Sequence, residues 1–165
     1  MIGGGDWSEE RLIPDAVRAW QTGATLQIRR PGAIRPWQHV VEPLAGYLAL
    51  VETLWALPGK AGAYNFGPDT RDAASVQTVV EFARRAHEDG QVIYGDGSQG
   101  PHEAGRLALE IVKARTTLGY VPRWTLEETV LRTIHWYSSQ YGGDDARNLC
   151  EADITAYDAA LQKNP

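Results

Sequence analysis

Between Pro43 and the pair Pro58-Gly59, the residues Leu44, Tyr47, Leu48, Val51, Leu54 and Trp55 recur at the three- and four-residue steps of one helix face. A helix with so long an apolar stripe gains its stability from the layer it lies on rather than from its own backbone. The flanking segments say what kind of layer to expect. TLQIRR and GAYNFGP read as short strands, with PGAIRP as the turn after the first, and QVIYGDG reads as another. Leu12, Ile13, Ala16, Val17 and Trp20 share one face of an earlier helix that ends by Gly23. Ser75 is placed to cap a helix carrying Val76, Val79, Val80, Phe82 and Ala83, and Gly90 follows it. An extended piece over 106–109 precedes the segment 112–118. Thr125 with Glu128 then forms a capping box for a helix through Tyr137. Strands alternating with helices predict an α/β architecture, with the 44–55 stripe packing onto its sheet. Residues 142–165 open on Gly142-Gly143 and form a polar tail, helical or loose.

At 165 residues the chain is long enough for one ordinary domain with a core. A formal net charge of −5 does not favour a nucleic-acid or anionic-membrane surface. The N-terminus carries no basic-plus-apolar signal, and no run approaches the length of a membrane span. The single Cys150 excludes an internal disulfide and fits a reducing, cytoplasmic setting. Of the 16 basic residues, 13 are arginine; codon bias accounts for most of them, while a planar fork that grips phosphate or carboxylate is the functional reading.

Among candidate motifs, Gly95–Gly100 spells G-x-G-x-x-G after a strand. A dinucleotide site needs a helix to start there so that its amides meet the pyrophosphate, and no acidic residue on a following strand completes the pattern. The segment reads as a turn. His39 and Glu42, three apart, and the pair His102-Glu103 could be assembled into a metal site, although Pro43 places Glu42 at a helix entrance instead. No G-x-S-x-G elbow is present, and none of the seven tyrosines has a lysine four residues later. Arg35 is the strongest single candidate. Pro36 biases its backbone toward extended geometry, so its guanidinium is presented stiffly at a strand-to-helix junction. Residue chemistry alone leaves two readings open: a phosphate grip, or an ion pair with Glu42 or an acid on a neighbouring strand.

The segments IGGGDWSEERLIPDAVRAW, IRRPGAIRPWQHVVEPLAGYLALVETLW, YNFGP and PHEAGRLALE…KARTTLGYVPRWTLEETVLRTIHWY, in that order, resemble the C-terminal half of the CDP-glucose 4,6-dehydratase branch of the extended short-chain dehydrogenase/reductase family of sugar-nucleotide enzymes. The likeness runs over residues 1–141. It implies the C-terminal part of a Rossmann-type α/β protein, with its last strands and its small sugar-nucleotide-binding portion. In that family, bound NAD takes hydride from C4 of the glucosyl unit, water leaves across C5–C6, and the hydride returns at C6. The product is a precursor of deoxysugars in surface polysaccharide. The resemblance implies that the Gly-rich NAD loop, the acid/base pair and the Tyr-x-x-x-Lys belong to an N-terminal half not present here. The expectation is therefore a fragment, from a truncated or mis-started reading frame, that binds no NAD and has no catalytic residues by itself.

On the substrate side, Arg35 matches the arginine that grips the diphosphate. Arg11 and Leu12 match the segment covering the nucleotide. Arg29 falls where relatives set a side chain against the base, while Asn65, His102 and Glu103 match positions along the nucleotide's far edge. Gln99 stands where some relatives carry a second phosphate arginine, and Val112-Lys113 replaces a more usual Ser-Lys. The implied partner is a CDP-sugar, with a homo-oligomer expected for the longer protein. Two other readings compete: a stand-alone nucleotide-sugar-binding module without chemistry, and a small metal-dependent hydrolase using His39, Glu42, His102 and Glu103.

Overall fold

The computed structural model describes residues 1–88, 90–98 and 104–163. Its main core is built by three helices and a narrow parallel ribbon. Helix α1 (Leu12–Gln21) buries Ile13, Ala16, Val17 and Trp20. The strands β1 (Leu26–Ile28) and β4 (Val92–Tyr94) pair in parallel with Leu26 opposite Val92. Helix α3 (Val76–His87) turns Val79, Val80 and Ala83 inward, and α5 (Leu126–Tyr141) adds Val130, Ile134 and Tyr137. Both predicted caps form: the Thr78 amide donates to Ser75 Oγ at 3.1 Å, and the Glu128 amide to Thr125 Oγ1 at 3.2 Å. The Glu128 carboxylate does not complete the reciprocal half of its box, because it accepts from Arg132 one turn on.

PGAIRP is more than a turn. Ile34 and Arg35 form a two-residue strand, β2 (Ile34–Arg35), antiparallel to β3 (Ala74–Ser75). Ile34 also makes a parallel bridge to Arg106, within the extended piece expected near 106–109. Pro31 and Gly32 had suggested a turn, and a strand this short carries no alternation to contradict them.

The opening glycines are fixed by packing. A side chain on Gly4 would sit 2.0 Å from the Trp136 indole, and Gly5 occupies the left-handed region at φ 82°. Ile2 then forms a parallel bridge with His39 through 2.9 Å backbone bonds to Gln38 and Val40.

Immediately afterwards comes α2 (Val41–Ala56), and here the expectation fails. Its buried residues are Glu42, Pro43 and Gly46, with Gly46 set against the Phe66 ring. The stripe foreseen as packing on the sheet faces outward instead: Leu44, Tyr47, Leu48, Val51 and Trp55 are exposed, Leu48 by 68% and Trp55 by 90%. Periodicity reveals an apolar face but not whether the chain also supplies its cover.

A smaller apolar cluster forms beside α2 from Ile111, Ala114 and Tyr120, with Phe66 and Leu109 packed on it; Ala114 lies in α4 (Val112–Leu118). The polar C-terminal stretch folds as α6 (Ala146–Lys163) and packs against α5 and α2, with Tyr157 buried. Among the described residues no helix is long and apolar enough to cross a membrane.

Candidate sugar-nucleotide site

Two adjoining cavities lie where β2, the start of α1 and the first glycines meet. The first, about 490 Å³, is lined by Met1, Ile2, Gly3, Glu10, Arg11, Leu12, Arg35, Trp37 and Leu107 among others. The second, about 330 Å³, shares Glu10, Leu12, Arg35 and Trp37 with it and extends to Gln27, Arg29, Arg30 and Asp15. Four of the residues singled out from sequence, Arg11, Leu12, Arg29 and Arg35, are thereby brought to one continuous cleft.

Each is placed by a local cause. Arg11 is the last extended residue before α1, so it stands at the helix entrance, and Leu12 is half-buried in the first turn. Arg29 follows β1 directly and is exposed along the edge of the second cavity. Arg35 is half-buried on β2. Its Nη1 donates to the carbonyls of Ile34 at 2.9 Å and Ala104 at 2.8 Å, which fixes the plane of the guanidinium where it lines both cavities. The Ala104 carbonyl is in reach because the 105–107 segment is bonded to β2: Ile34 donates to Gly105 and Leu107 donates to Ile34.

Asn65 takes a different position. It is exposed, does not line either cavity, and its side-chain amide donates to the Glu110 carbonyl at 3.2 Å, bracing the loop before α4. His102, Glu103 and Gln99 lie outside the described residues.

Two cleft residues carried no signal in the sequence. Glu10, at φ 60°, holds a left-handed conformation that glutamate rarely adopts, and it lines both cavities. Nothing in WSEER marks it. Trp37 walls both cavities too, held by its indole N–H donating to the Ala74 carbonyl at 3.0 Å.

The first four residues of the G-x-G-x-x-G segment, Gly95–Ser98, are irregular after β4 with a bend at Gly97, and Gln99 and Gly100 lie outside the described residues. The Gly95 amide donates to the Ile28 carbonyl at 2.7 Å, and the Asp96 carboxylate accepts from both the amide and the hydroxyl of Ser98. No helix starts over 95–98, and the next described helix begins at Val112. A dinucleotide cradle would need a helix N-terminus at that point, and none begins among the described residues 95–98 and 104–111.

Of the four candidates for a metal, His102 and Glu103 lie outside the described residues; among those described, His39 is buried with no hydrogen-bond partner for its Nε2, and Glu42 is committed elsewhere. Oε1 of Glu42 accepts from the backbone amides of Arg123 and Trp124, both at 2.8 Å, and Oε2 accepts from the Tyr157 hydroxyl at 2.8 Å. Burial, together with the Glu42 carboxylate, pushes the Tyr157 phenol well above its usual range. His39 is buried against the edge of the Trp124 ring, and burial, with Arg132 adding to it, pulls its pKa down to about 4. It is neutral at pH 7, so the Asp153 carboxylate oxygen 3.7 Å from Nε2 is a dipolar neighbour, not an ion-pair partner. Asp153 pairs with Arg132 at 3.3 Å, and Arg132 stacks over Trp124 at 4.4 Å. This cluster ties α2, α5 and α6 together, and among the described residues no group of three potential metal ligands occurs.

No family model matches the chain. It is homologous to the CDP-glucose 4,6-dehydratase of Salmonella typhimurium, with 39% identity over 164 residues. That match takes in 99% of this chain and 46% of the relative, so the chain spans about half the length of the curated protein it matches. Among solved structures, RMD of Pseudomonas aeruginosa complexed with NADPH superposes with a TM-score of 0.68 at 18% identity, over 84% of this chain and 46% of that one. The dTDP-glucose 4,6-dehydratase of Bacillus anthracis in complex with NAD gives 0.64 at 21% identity, over 82% and 42%. The UDP-glucuronic acid 4-epimerase of Bacillus cereus, in complex with UDP-glucuronic acid and NAD, gives 0.63 at 15%, over 80% and 41%. The chain thus shares the fold of part of these solved structures.

Proposed function

We propose that this chain is the sugar-nucleotide-binding half of a CDP-glucose 4,6-dehydratase, an enzyme that converts CDP-glucose to its 4-keto-6-deoxy product. The observation that carries the reading is the convergence of Arg11, Leu12, Arg29 and Arg35 on one cleft in a chain homologous to that enzyme. Arg35 grips the diphosphate. Its fork is already oriented by two carbonyls, so little side-chain entropy is lost on binding, and a guanidinium meets phosphate oxygens with paired N–H donors. Leu12 and Trp37 supply apolar walls, Arg29 edges the base, and Arg11 adds positive potential at the mouth. His102 and Glu103 complete the far edge in this reading, and Asn65 supports that side through its bond to Glu110.

Chemistry at C4, C5 and C6 is assigned to the half of the enzyme that the match leaves uncovered, and so is NAD. The chain's own work is to hold the nucleotide and present the sugar. A cytoplasmic location and a homo-oligomeric whole enzyme accompany this reading.

Calorimetric titration of CDP into the chain is the direct test. Arg35→Ala should weaken CDP binding by ~1.5–3 kcal/mol, the worth of a hydrogen bond to a charged group, with unfolding unchanged. Equal affinity for the variant and the parent would remove Arg35 from the site.

A further inference from the structure

We infer that the Glu10 carboxylate receives the ribose hydroxyls of the nucleotide and so selects a ribonucleotide over its 2′-deoxy counterpart. This deepens the sugar-nucleotide reading of the cleft and rests on it. Glu10, Leu12, Arg35 and Trp37 line both cavities, so together they form the neck between them. Leu12 and Trp37 are its apolar walls, Arg35 is its cation, and Glu10 is its acceptor.

The backbone holds Glu10 at this neck under strain. Its φ of 60° lies in the left-handed region, and residues held there persist where the surroundings over-determine them and gather at ligand-binding positions. Arg18, on α1, donates from Nη1 to the Trp7 carbonyl at 2.9 Å and from Nη2 to the Ser8 carbonyl at 3.1 Å. The Tyr137 hydroxyl, on α5, donates to the Asp6 carbonyl. The stretch before Glu10 is thus tied to two helices, and the chain turns at Glu10 to enter α1 at Leu12. Glycine would make that turn without strain. The turn alone does not call for glutamate; the cleft does.

Among the described residues three carboxylates line the cleft, and two of them are already occupied. Asp15 accepts from Arg18 at 2.5 Å, and Asp6 accepts from the Ser8 amide at 3.0 Å. Glu10 has no hydrogen-bond or ion-pair partner among the described residues, although Arg11, Arg29, Arg30 and Arg35 line the same cavities. A carboxylate only accepts, so a cytidine nucleotide can offer it just two kinds of donor: the ribose hydroxyls and the amino group of the base. Arg29, placed against the base, lines the second cavity and not the first, which sets the amino group away from the neck. The ribose is bonded directly to the diphosphate that Arg35 grips, and it therefore passes through the neck. Repulsion between Glu10 and the diphosphate is offset by the arginines around them. What the carboxylate returns is discrimination, because a deoxyribose leaves a desolvated acceptor short of a donor.

Calorimetric titration of CDP, dCDP and UDP into the parent chain, Glu10→Gly and Glu10→Gln is the test. The parent should bind CDP about tenfold tighter than dCDP, the low end of what a hydrogen bond to a charged group contributes. Glu10→Gly should bind CDP and dCDP alike, with its CDP-to-UDP ratio as in the parent. Its melting temperature should hold, because glycine takes a φ of 60° freely. Glu10→Gln should keep part of the preference, since an amide oxygen still accepts. Equal affinity of the parent for CDP and dCDP would overturn the inference and leave the cleft reading standing. So would a Glu10→Gly chain that kept the parent's preference, or one in which the CDP-to-UDP ratio collapsed instead, which would put the carboxylate on the base. Arg35→Ala separates the two claims from the other side: it should weaken CDP and dCDP together and leave their ratio at the parent value. A parent chain that bound neither nucleotide would sink the cleft reading, and this inference with it.

Discussion

Replacing Glu42 by alanine should be among the most damaging single changes in the protein. The carboxylate is 1% exposed and takes three donors, the amides of Arg123 and Trp124 and the hydroxyl of Tyr157. Alanine leaves all three without an acceptor. Each stranded buried donor costs ~1–3 kcal/mol, and the two amides fall at the lower end because Arg123 and Trp124 are half-buried and within reach of water. The sum is about 3–5 kcal/mol, a fifth or more of the ~5–15 kcal/mol that holds a domain of this kind together. Glu42→Gln should cost only about 1–1.5 kcal/mol, because an amide oxygen can serve the two backbone donors while its NH₂ meets the Tyr157 hydroxyl as acceptor. Tyr157→Phe should cost ~1–2 kcal/mol, and combined with Glu42→Ala it should fall short of the sum by about 1 kcal/mol, because the two changes remove the same bond. Urea unfolding followed by circular dichroism gives these differences, provided the slope with denaturant is common to all variants. A Glu42→Ala protein within 1 kcal/mol of the parent would refute the account of how α2, the 123–124 turn and α6 are fastened.

Two further outcomes follow from groups nearby. His39 is held at a pKa of about 4 when folded, against an ordinary value of 6.5 when unfolded, so between those values the unfolded chain binds a proton that the folded one refuses. Stability should therefore fall with acidification from pH 6.5 downward by roughly 1 kcal/mol per pH unit, a slope that His39→Asn should flatten; an unchanged slope in that variant would exclude His39 as its source. Asp153 acts in the opposite sense, because burial raises its pKa and its folded form takes up a proton first, so the upper part of the window gives the cleaner reading. Gly46→Ala would place a Cβ 2.3 Å from the Phe66 ring, and overpacking of that kind costs ~1–3 kcal/mol. The gain of about 1 kcal/mol in helix propensity offsets part of it, so thermal unfolding should show a modest net loss, and a stabilised variant would mean that Phe66 moves aside freely.

What could be read from the chain, and what could not, divides along physical lines. Ile13, Val17 and Trp20 on α1, and the caps at Ser75 and Thr125, declare themselves because spacing and capping chemistry act within a few residues. Arg35 could be singled out because Pro36 constrains its neighbour, but the carbonyl of Ala104 that aims it lies 69 residues away. Tyr157 is one aromatic in a polar run, and its burial depends on a carboxylate 115 positions earlier. Glu42 at a helix entrance reads as a dipole partner, and no local pattern reveals that two amides of the 123–124 turn reach it. The α2 stripe misleads for a different reason. Its spacing correctly announces a helix, yet burial is a property of whatever lies opposite, and that surface is not encoded in the same segment.

The placement of Ile34 has an evolutionary corollary. This one residue is pinned by Ser75 on one side and by Arg106 on the other, and the carbonyl that steadies the adjoining cation hangs from the second of those tethers. Drift in the 104–107 loop could therefore tilt the guanidinium and retune how the cleft greets a doubly charged guest, while every side chain touching that guest stayed the same. Under the proposed function, selectivity among nucleotides is adjustable from a distance and by substitutions that a comparison of contact residues would overlook.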